Sequence, residues 1–179
     1  MSRKSNTAAT SKVSASSALT TNSSANKLSI LKSAFAPSYL QLHLFASVIQ
    51  SFDSQLLRIH DTSNNHLRQQ HSTPHGTNVT CLDWGYYGQA YRESRSSSKK
   101  KRKRDGSVQE NVVVAYGTSQ REICMYSPPE GKIVGTLKGG HEKDIRDFKF
   151  SHHDGLQAWS LSSDGKLVQW DLMNDRPVR

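Results

Sequence analysis

The chain of 179 residues has no long hydrophobic run, and only 34% of its residues are apolar. A globular domain usually has about 45–50% apolar residues, so part of this chain is not expected to belong to a core. The most apolar stretch, residues 40–49, is about half as long as a membrane-spanning helix and is interrupted by Gln41 and His43. The first 27 residues contain no continuous apolar block of the kind found in secretory signals. We therefore expect neither a membrane protein nor a secreted one.

Cysteine is also scarce, since the sequence has only Cys81 and Cys124, each inside an apolar run. A disulfide framework in a short secreted chain uses more cysteines. We predict two free, buried thiols in a reducing compartment.

Acidic residues are missing from residues 1–34, which carry five basic residues and are rich in Ser, Thr, Asn and Ala. We predict that this segment is a disordered basic tail, because it cannot bury enough apolar surface to offset the entropy of ordering. Residues 85–110 have eight basic and three acidic residues, so each of these two segments has a net charge of +5. The rest of the chain has a net charge of −1. A fold that binds nucleic acid with its own surface normally has a basic face, which this distribution does not favour.

After residue 34 the sequence alternates short apolar runs with turn residues. The runs are residues 44–49, 56–59, 80–84, 112–116, 123–126, 132–137, 145–150, 158–161 and 167–170. They are rich in Val, Ile, Leu and aromatic residues, and segments with turn composition separate them. No long helical period follows residue 34. We predict an all-β chain of antiparallel hairpins.

Three segments repeat along the chain: residues 54–61, 120–127 and 164–171. Each contains a turn, a strand and an aromatic ring that is followed by a small or acidic residue. The rings of His60, Tyr126 and Trp170 are separated by 66 and 44 positions, and the excess of 22 matches the charged insert. A period near 44 is the spacing of β-propeller blades.

We therefore predict a WD-repeat β-propeller over residues 35–179, interrupted by a basic flexible insert at 88–110. This length fits about two to three blades, whereas a closed propeller has about four to eight. We expect only the N-terminal part of a propeller, without its C-terminal blades or any helical domain. We also expect the last blade to lack its outer strand, and the chain to be poorly stable alone because its edges are exposed.

The third repeat has the Gly-His to Trp-Asp signature of a WD-repeat blade. Gly140 and His141 begin it, and Trp170 and Asp171 close it, with Trp170 placed 29 residues after His141. In such a blade a His, a Ser or Thr, an Asp and a Trp share one buried hydrogen-bond chain, so they are satisfied together or not at all. The predicted structural tetrad is His141, Ser160, Asp164 and Trp170, with Ser162 as the alternative to Ser160.

Six consecutive basic residues form the strongest signal outside the repeats. They are Lys99, Lys100, Lys101, Arg102, Lys103 and Arg104. Because like charges repel one another, we place them in an exposed loop of the second blade. We interpret this basic run as a nuclear import signal that can also contact RNA phosphates; the plain alternative is a solvated charged loop.

No pattern for catalysis or metal binding is convincing. His71 and His75 have a zinc-like spacing, but the segment between them contains Pro74, which does not continue a helix. The sequence lacks a Gly-x-Ser-x-Gly elbow and a phosphate-binding Gly loop. The aromatic cluster at residues 84–88 is more typical of packing at a strand end than of base stacking. We expect no enzyme activity, no metal, no cofactor and no small-molecule substrate.

Several of these segments resemble one family. They are residues 44–50, 57–62, 80–85, 131–141, 145–150 and 164–171. This part of the chain resembles the nucleolar WD-repeat subunits of the UTP-A (t-Utp) complex of the small-subunit processome, which fungi and animals share. The resemblance runs from about Phe35 to Arg179. It implies a β-propeller followed by a helical domain that docks other subunits, and it implies no catalytic residues.

The resemblance also implies a function, which is a non-enzymatic scaffold in pre-rRNA processing that is linked to rDNA transcription. The implied partners are other UTP-A WD-repeat subunits, components of the U-three small nucleolar ribonucleoprotein, and the 5′ external transcribed spacer of pre-rRNA, contacted directly or indirectly. The implied location is the nucleolus of the nucleus. The residues alone leave an alternative open, which is a generic nuclear WD-repeat adaptor outside ribosome assembly.

Overall fold

The computed structural model describes residues 29–40, 42–87, 112–151 and 156–178. Most of the predicted tail, the predicted insert at 88–110 and the basic run within it lie outside the described residues. Among the residues that are described, no helix is long and apolar enough to cross a membrane.

The described chain forms β-strands and one short 3-10 helix, Ser38–Leu40. The strands are β1 (Ile30–Phe35), β2 (Leu44–Gln50), β3 (Gln55–Asp61), β4 (His66–Ser72), β5 (Val79–Tyr86), β6 (Val112–Thr118), β7 (Ile123–Ser127), β8 (Lys132–Leu137), β9 (Ile145–Phe150), β10 (Gln157–Ser162), β11 (Leu167–Asp171) and β12 (Arg176–Pro177). They form three four-stranded antiparallel sheets, each in chain order: sheet A (β1–β4), sheet B (β5–β8) and sheet C (β9–β12). The predicted all-β architecture is confirmed.

Sheet B lies between the other two sheets and is covered on both faces. All seven residues of its second strand, β6, are buried. One core, which includes Leu57 and Trp84, lies between sheets A and B. A second core, which includes Phe148 and Trp170, lies between sheets B and C. Each large apolar side chain that is fully buried contributes about 1.5–3 kcal/mol relative to an exposed one, so these two cores account for the stacking.

The turn between the third and fourth strands is the same in all three sheets. It begins at Asp61, Ser127 and Asp171, respectively. Four residues later each turn has a residue with positive φ: Asn65 (58°), Gly131 (67°) and Asp175 (53°). Asn and Asp tolerate this conformation better than other non-glycine residues. The spacing between these turns is 66 and 44 positions, as the sequence repeat predicts.

The predicted boundary between the tail and the ordered sequence, at residue 34, is wrong. β1 begins at Ile30 and pairs with β2, with Ala34 opposite Ala46 and Phe35 opposite Phe45. The Trp84 Nε1–H also donates a hydrogen bond to the Ala34 carbonyl oxygen at 3.0 Å. Backbone pairing to an apolar neighbour therefore orders a segment that is itself mostly exposed.

The prediction that the last blade lacks its outer strand is also wrong. β12 is only two residues long, but Arg176 pairs with Asp171 and Pro177 pairs with Trp170. β4, which was not predicted, is the outer strand of sheet A. An outer strand needs only backbone pairing on one side, so an apolar pattern is not required for it.

Both cysteines are free, as predicted, but only Cys81 is fully buried. Burial raises the pKa of the Cys81 thiol to about 11. Its sulfur lies close to Gly117, where an added Cβ would be 2.6 Å from Cys81 Sγ and 2.7 Å from the Ile145 side chain. Cys124, in contrast, is half-buried, so the prediction of two buried thiols is wrong for this residue.

Candidate functional site: a hydrogen-bonded tetrad and the loops beside it

The structure brings the four residues of the predicted tetrad together in sheet C. Trp170 Nε1–H on β11 donates to Ser160 Oγ on β10 at 2.7 Å. Ser160 Oγ lies 2.7 Å from His141 Nε2, in the loop before β9. His141 Nδ1 lies 3.2 Å from Asp164 Oδ2, in the turn between β10 and β11.

The donors and acceptors of the tetrad allow one arrangement of protons when the histidine is neutral. Ser160 Oγ accepts from the indole, so its own hydrogen is directed to His141 Nε2. Nδ1 then carries the ring proton and donates to Asp164; this tautomer is assigned from the hydrogen-bond network. Trp170 and Ser160 are each 1% exposed. An unsatisfied buried polar group costs about 1–3 kcal/mol, so the complete chain is a strong structural constraint.

Asp164 also fixes the backbone around it. Its carboxylate accepts the backbone N–H of Glu142 at 2.9 Å and of Lys166 at 2.8 Å. Burial acts to raise its pKa, but the hydrogen bonds from Glu142, Lys166 and His141 outweigh it and lower the pKa to about 2. Asp164 therefore remains a carboxylate at neutral pH and ties the β8–β9 loop to the β10–β11 turn.

The residue before the tetrad histidine is Gly140, and the Trp170 ring leaves no room for a side chain there. A Cβ at this position would lie 2.6 Å from Cζ2 of Trp170, so only glycine lets the loop pass over the indole.

Ser162, the alternative member of the tetrad, does not take part in this hydrogen-bond chain. Its hydroxyl donates to the Lys143 carbonyl oxygen at 3.0 Å and accepts from the Asp164 backbone N–H at 3.2 Å. Ser162 therefore supports the same loop from the other side.

Sheet B has no such tetrad among its described residues. The two sheets can be aligned by equivalent strand pairs, because Val79 pairs with Thr118 in sheet B and Ile145 pairs with Ser162 in sheet C. By this correspondence His75, Tyr116, Gln120 and Tyr126 take the positions of His141, Ser160, Asp164 and Trp170. The Tyr116 hydroxyl is buried, and its polar neighbour is the weakly bonding thiol of Cys124.

The two histidines with zinc-like spacing face different partners. The ring centroid of His71 lies 5.0 Å from that of Tyr126. His75 Nδ1 lies 3.2 Å from the Asp53 carbonyl oxygen. Within the described ranges, no group of three side chains is arranged to hold a metal ion.

One end of the three sheets carries the tetrad, and we call it the tetrad end. It consists of the β2–β3, β6–β7 and β10–β11 turns and of the β4–β5 and β8–β9 loops. Two ion pairs lie at this end, where Lys138 bonds Glu122 at 2.7 Å and Lys166 bonds Glu142 at 2.6 Å. The described residues of the whole chain contain eleven basic and eleven acidic residues. The blades are therefore electrically neutral.

The predicted basic insert begins and ends at the opposite end of sheet B. It follows β5 and precedes β6, and Tyr86 at the end of β5 pairs with Val112 at the start of β6. Tyr87, next in the chain, donates its hydroxyl to Asp175 Oδ1 of sheet C at 2.7 Å. The six residues of the basic run lie outside the described residues.

The three sheets with their shared turns have the fold of WD-repeat β-propeller blades, and the predicted fold class is confirmed. No family model matches the chain. Over 119 residues the chain is 29% identical to WD repeat-containing protein 43 from Homo sapiens, and the alignment covers 65% of this chain and 17% of that protein. A structural relative, described as the crystal structure of the mitotic checkpoint complex, gives a TM-score of 0.59 at 16% identity. That match covers 85% of this chain and 38% of the other.

Proposed function

We propose that this chain belongs to a non-enzymatic scaffold of ribosome biogenesis, a subunit of the small-subunit processome that acts in pre-rRNA processing in the nucleolus. The observation that carries the proposal is the 29% identity with human WD repeat-containing protein 43 over 119 residues. It agrees with the resemblance of these blades to UTP-A subunits. The proposed partners are other UTP-A subunits, U-three ribonucleoprotein components and the 5′ external transcribed spacer.

The chemistry of the tetrad supports a structural role. His141 and Asp164 are the residues that a hydrolase would use, but each is already bonded within the tetrad. Their side chains are only 0% and 5% exposed, and the Asp164 carboxylate holds the two loops together. A blade with this internal network serves as a rigid support for loops that bind other proteins.

The charge distribution supports contact with RNA through the segments outside the blades. Outside the strands, residues 1–28 carry four basic residues and no acidic one, and residues 88–111 carry a net charge of +5. Such charges attract RNA phosphates without sequence preference, and the attraction weakens steeply as the salt concentration rises. We propose that the basic run also directs nuclear import.

The proposal is tested by purifying the tagged full-length protein from nuclear extract after crosslinking, and by sequencing the RNA that copurifies. The expected result is enrichment of 5′ external transcribed spacer together with other nucleolar WD-repeat proteins. A set of nuclear partners without pre-rRNA would favour the adaptor outside ribosome assembly and reject the processome role.

A pair of variants separates import from RNA contact. In the first variant, the six residues 99–104 are replaced by Gln, and an unrelated import signal is added to restore nuclear entry. Any remaining loss of crosslinked RNA then reports phosphate contact by the basic run. The matched control replaces Lys132, Lys143 and Lys166, which are exposed lysines of the blades, and it is expected to keep its RNA.

A further inference from the structure

The β2–β3 turn has an exposed aromatic tip. Phe52 and Asp53 form this tip between Ser51 and Ser54, whose backbones are joined by a hydrogen bond from Ser51 N–H to the Ser54 carbonyl oxygen at 2.9 Å. Phe52 is 81% exposed, which makes it the most exposed large apolar side chain of the described residues. The fold gains almost no burial energy from this ring, so the ring is open to contact with a partner.

The turn also extends further than its equivalents in the other two sheets. β3 has seven residues before the shared turn, whereas β7 and β11 have five each. Because the third-to-fourth-strand turns coincide among the sheets, two extra residues lengthen the β2–β3 hairpin at the tetrad end. At about 3.4 Å per residue, the tip of this hairpin is set roughly 7 Å further along its strands than the β6–β7 and β10–β11 tips. His75 of the β4–β5 loop lies beside the tip, with Nδ1 3.2 Å from the Asp53 carbonyl oxygen.

The base of this hairpin is held by a buried glutamine. Gln55 is 5% exposed, and its Oε1 accepts the Val79 backbone N–H at 2.7 Å. Its Nε2 donates to Asn78 Oδ1 at 3.2 Å, and its carbonyl oxygen accepts the Thr73 backbone N–H at 2.9 Å. These bonds fix the base of the hairpin to the β4–β5 loop and to the start of β5, which limits the motion of the tip that a partner would have to restrict. Rigid groups lose little entropy on binding, which favours affinity.

We propose that Phe52 is a docking anchor that inserts into an apolar pocket of a protein partner, with a basic side chain at the rim of that pocket next to Asp53. A projecting aromatic ring requires a concave apolar site, and aromatic residues dominate the binding energy of protein interfaces. Asp53 is exposed and has no ion pair with any described residue, so its charge is free to select a basic rim. The same charge repels RNA, which is why we assign a protein partner. The inference rests on the proposed scaffold function and identifies one of its contact points.

The first test places a photoactivatable benzoylphenylalanine at position 52 of the tagged full-length protein. The matched control places it at position 67, because Leu67 on β4 is also exposed, at 48%. The expected result is a strong crosslink from position 52 to one protein, in peptides that line an apolar pocket with Lys or Arg at its rim. Crosslinks no stronger than those from position 67, or crosslinks to RNA, would overturn the proposal.

The second test measures the affinity of that purified partner for variants. Phe52→Ala is expected to weaken binding by roughly 30-fold, as for other aromatic anchors, and Asp53→Asn by a few-fold. Leu67→Ala is expected to bind as the unchanged protein does. Because Phe52 makes little contact with the fold, Phe52→Ala is expected to leave the melting temperature unchanged. Equal affinity for Phe52→Ala and the unchanged protein would reject the anchor.

The outcome separates this inference from the proposed function. A protein that crosslinks to 5′ external transcribed spacer but gives no partner at position 52 keeps the ribosomal function and loses the anchor. A pocket partner found at position 52 in the absence of pre-rRNA keeps the anchor and loses the ribosomal function.

Discussion

Sheets B and C have the same strand order and the same turn, yet different interactions hold each one together. Sheet C has the buried chain from Trp170 through Ser160 and His141 to Asp164. Sheet B has Tyr116 and Tyr126 at the corresponding positions, with all of β6 buried. The difference follows from the residues at these positions, because the small Ser160 hydroxyl bonds both Trp170 and His141, whereas Tyr116 fills the corresponding place with a buried ring. The same blade geometry is therefore held by a polar hydrogen-bond chain in sheet C and by packed rings in sheet B.

The largest expected effect is that of Ser160→Ala. Removing the hydroxyl leaves the Trp170 indole N–H and His141 Nε2 without a partner, and each unsatisfied buried group costs about 1–3 kcal/mol. We expect the free energy of unfolding, measured by chemical denaturation, to fall by about 2–6 kcal/mol.

The control for this change is Tyr116→Phe at the corresponding position of sheet B. Removing the Tyr116 hydroxyl removes only a weak hydrogen bond, because its polar neighbour is a thiol and thiols form weak hydrogen bonds. We expect a loss of about 0.5 kcal/mol or less. Equal losses for the two variants would show that the tetrad has no special part in sheet C.

The second prediction concerns the glycine before the tetrad. Gly140→Ala would place a Cβ 2.6 Å from the Trp170 ring, and overpacking of this kind costs about 1–3 kcal/mol. The control is Gly139→Ala, which meets no atom within 4 Å but has a φ of +78°, so its cost is backbone strain alone. We expect the NMR signal of the Trp170 indole N–H to move in Gly140→Ala and to stay in Gly139→Ala. An unmoved signal in both would contradict the steric account.

The third prediction concerns acid stability. The pKa of Asp164 is lowered from 3.8 to about 2 in the folded chain, so its contribution to stability is complete above pH 3.8 and is lost as the pH falls toward 2. We expect Asp164→Asn to be less stable at neutral pH and to show a flatter loss of stability between about pH 4 and 2. The measurement is denaturant unfolding across this pH range.

Asp61 of sheet A provides the comparison for this titration. Hydrogen bonds from the Ser63 hydroxyl and backbone, with Arg68 nearby, lower its pKa to about 2 as well. Asp61→Asn is expected to reduce the loss of stability across the same pH range, and the double variant is expected to reduce it more than either single variant. An Asp164→Asn profile that is parallel to that of the unchanged protein would reject the assigned role.

The smallest expected effect is that of Tyr87→Phe at the junction of sheets B and C. It removes the hydrogen bond to Asp175, and a net loss of about 0.5–1.5 kcal/mol is expected for such a bond. We expect faster hydrogen exchange in the turn before β12 and unchanged exchange at the Trp170 indole. The matched change at the junction of sheets A and B is Tyr126→Phe, which loses a bond to Gln69 Oε1 and is expected to affect β4 instead. An equal effect of both changes on β12 would contradict the local account.

The sequence predicts the strands that contribute to the cores. The runs at 132–137 and 145–150 match β8 and β9 residue for residue; three residues of β9 are buried, whereas in β8 only Leu137 is. β4 was not predicted, since its sequence HLRQQHS has no apolar alternation. It is held in the sheet by backbone pairing with β3. β1 and β12 were missed for the same reason.

The tetrad was predictable because its side chains have a fixed chemistry at a fixed spacing. The longer β2–β3 hairpin was not, because its projection appears only when the third-to-fourth-strand turns of the three sheets are compared. The junction contacts are also beyond the sequence. The Tyr87 hydroxyl of sheet B bonds Asp175 of sheet C, and these two residues are 88 positions apart in the chain.

The most direct test of the tetrad is NMR spectroscopy of its two ring systems at neutral pH. The account predicts that His141 has its proton on Nδ1, that its Nε2 is an acceptor, and that the Trp170 indole N–H exchanges far more slowly than that of Trp159. A proton on His141 Nε2 in the neutral ring, or indole exchange at Trp170 as fast as at Trp159, would contradict the hydrogen-bond chain on which sheet C is said to depend.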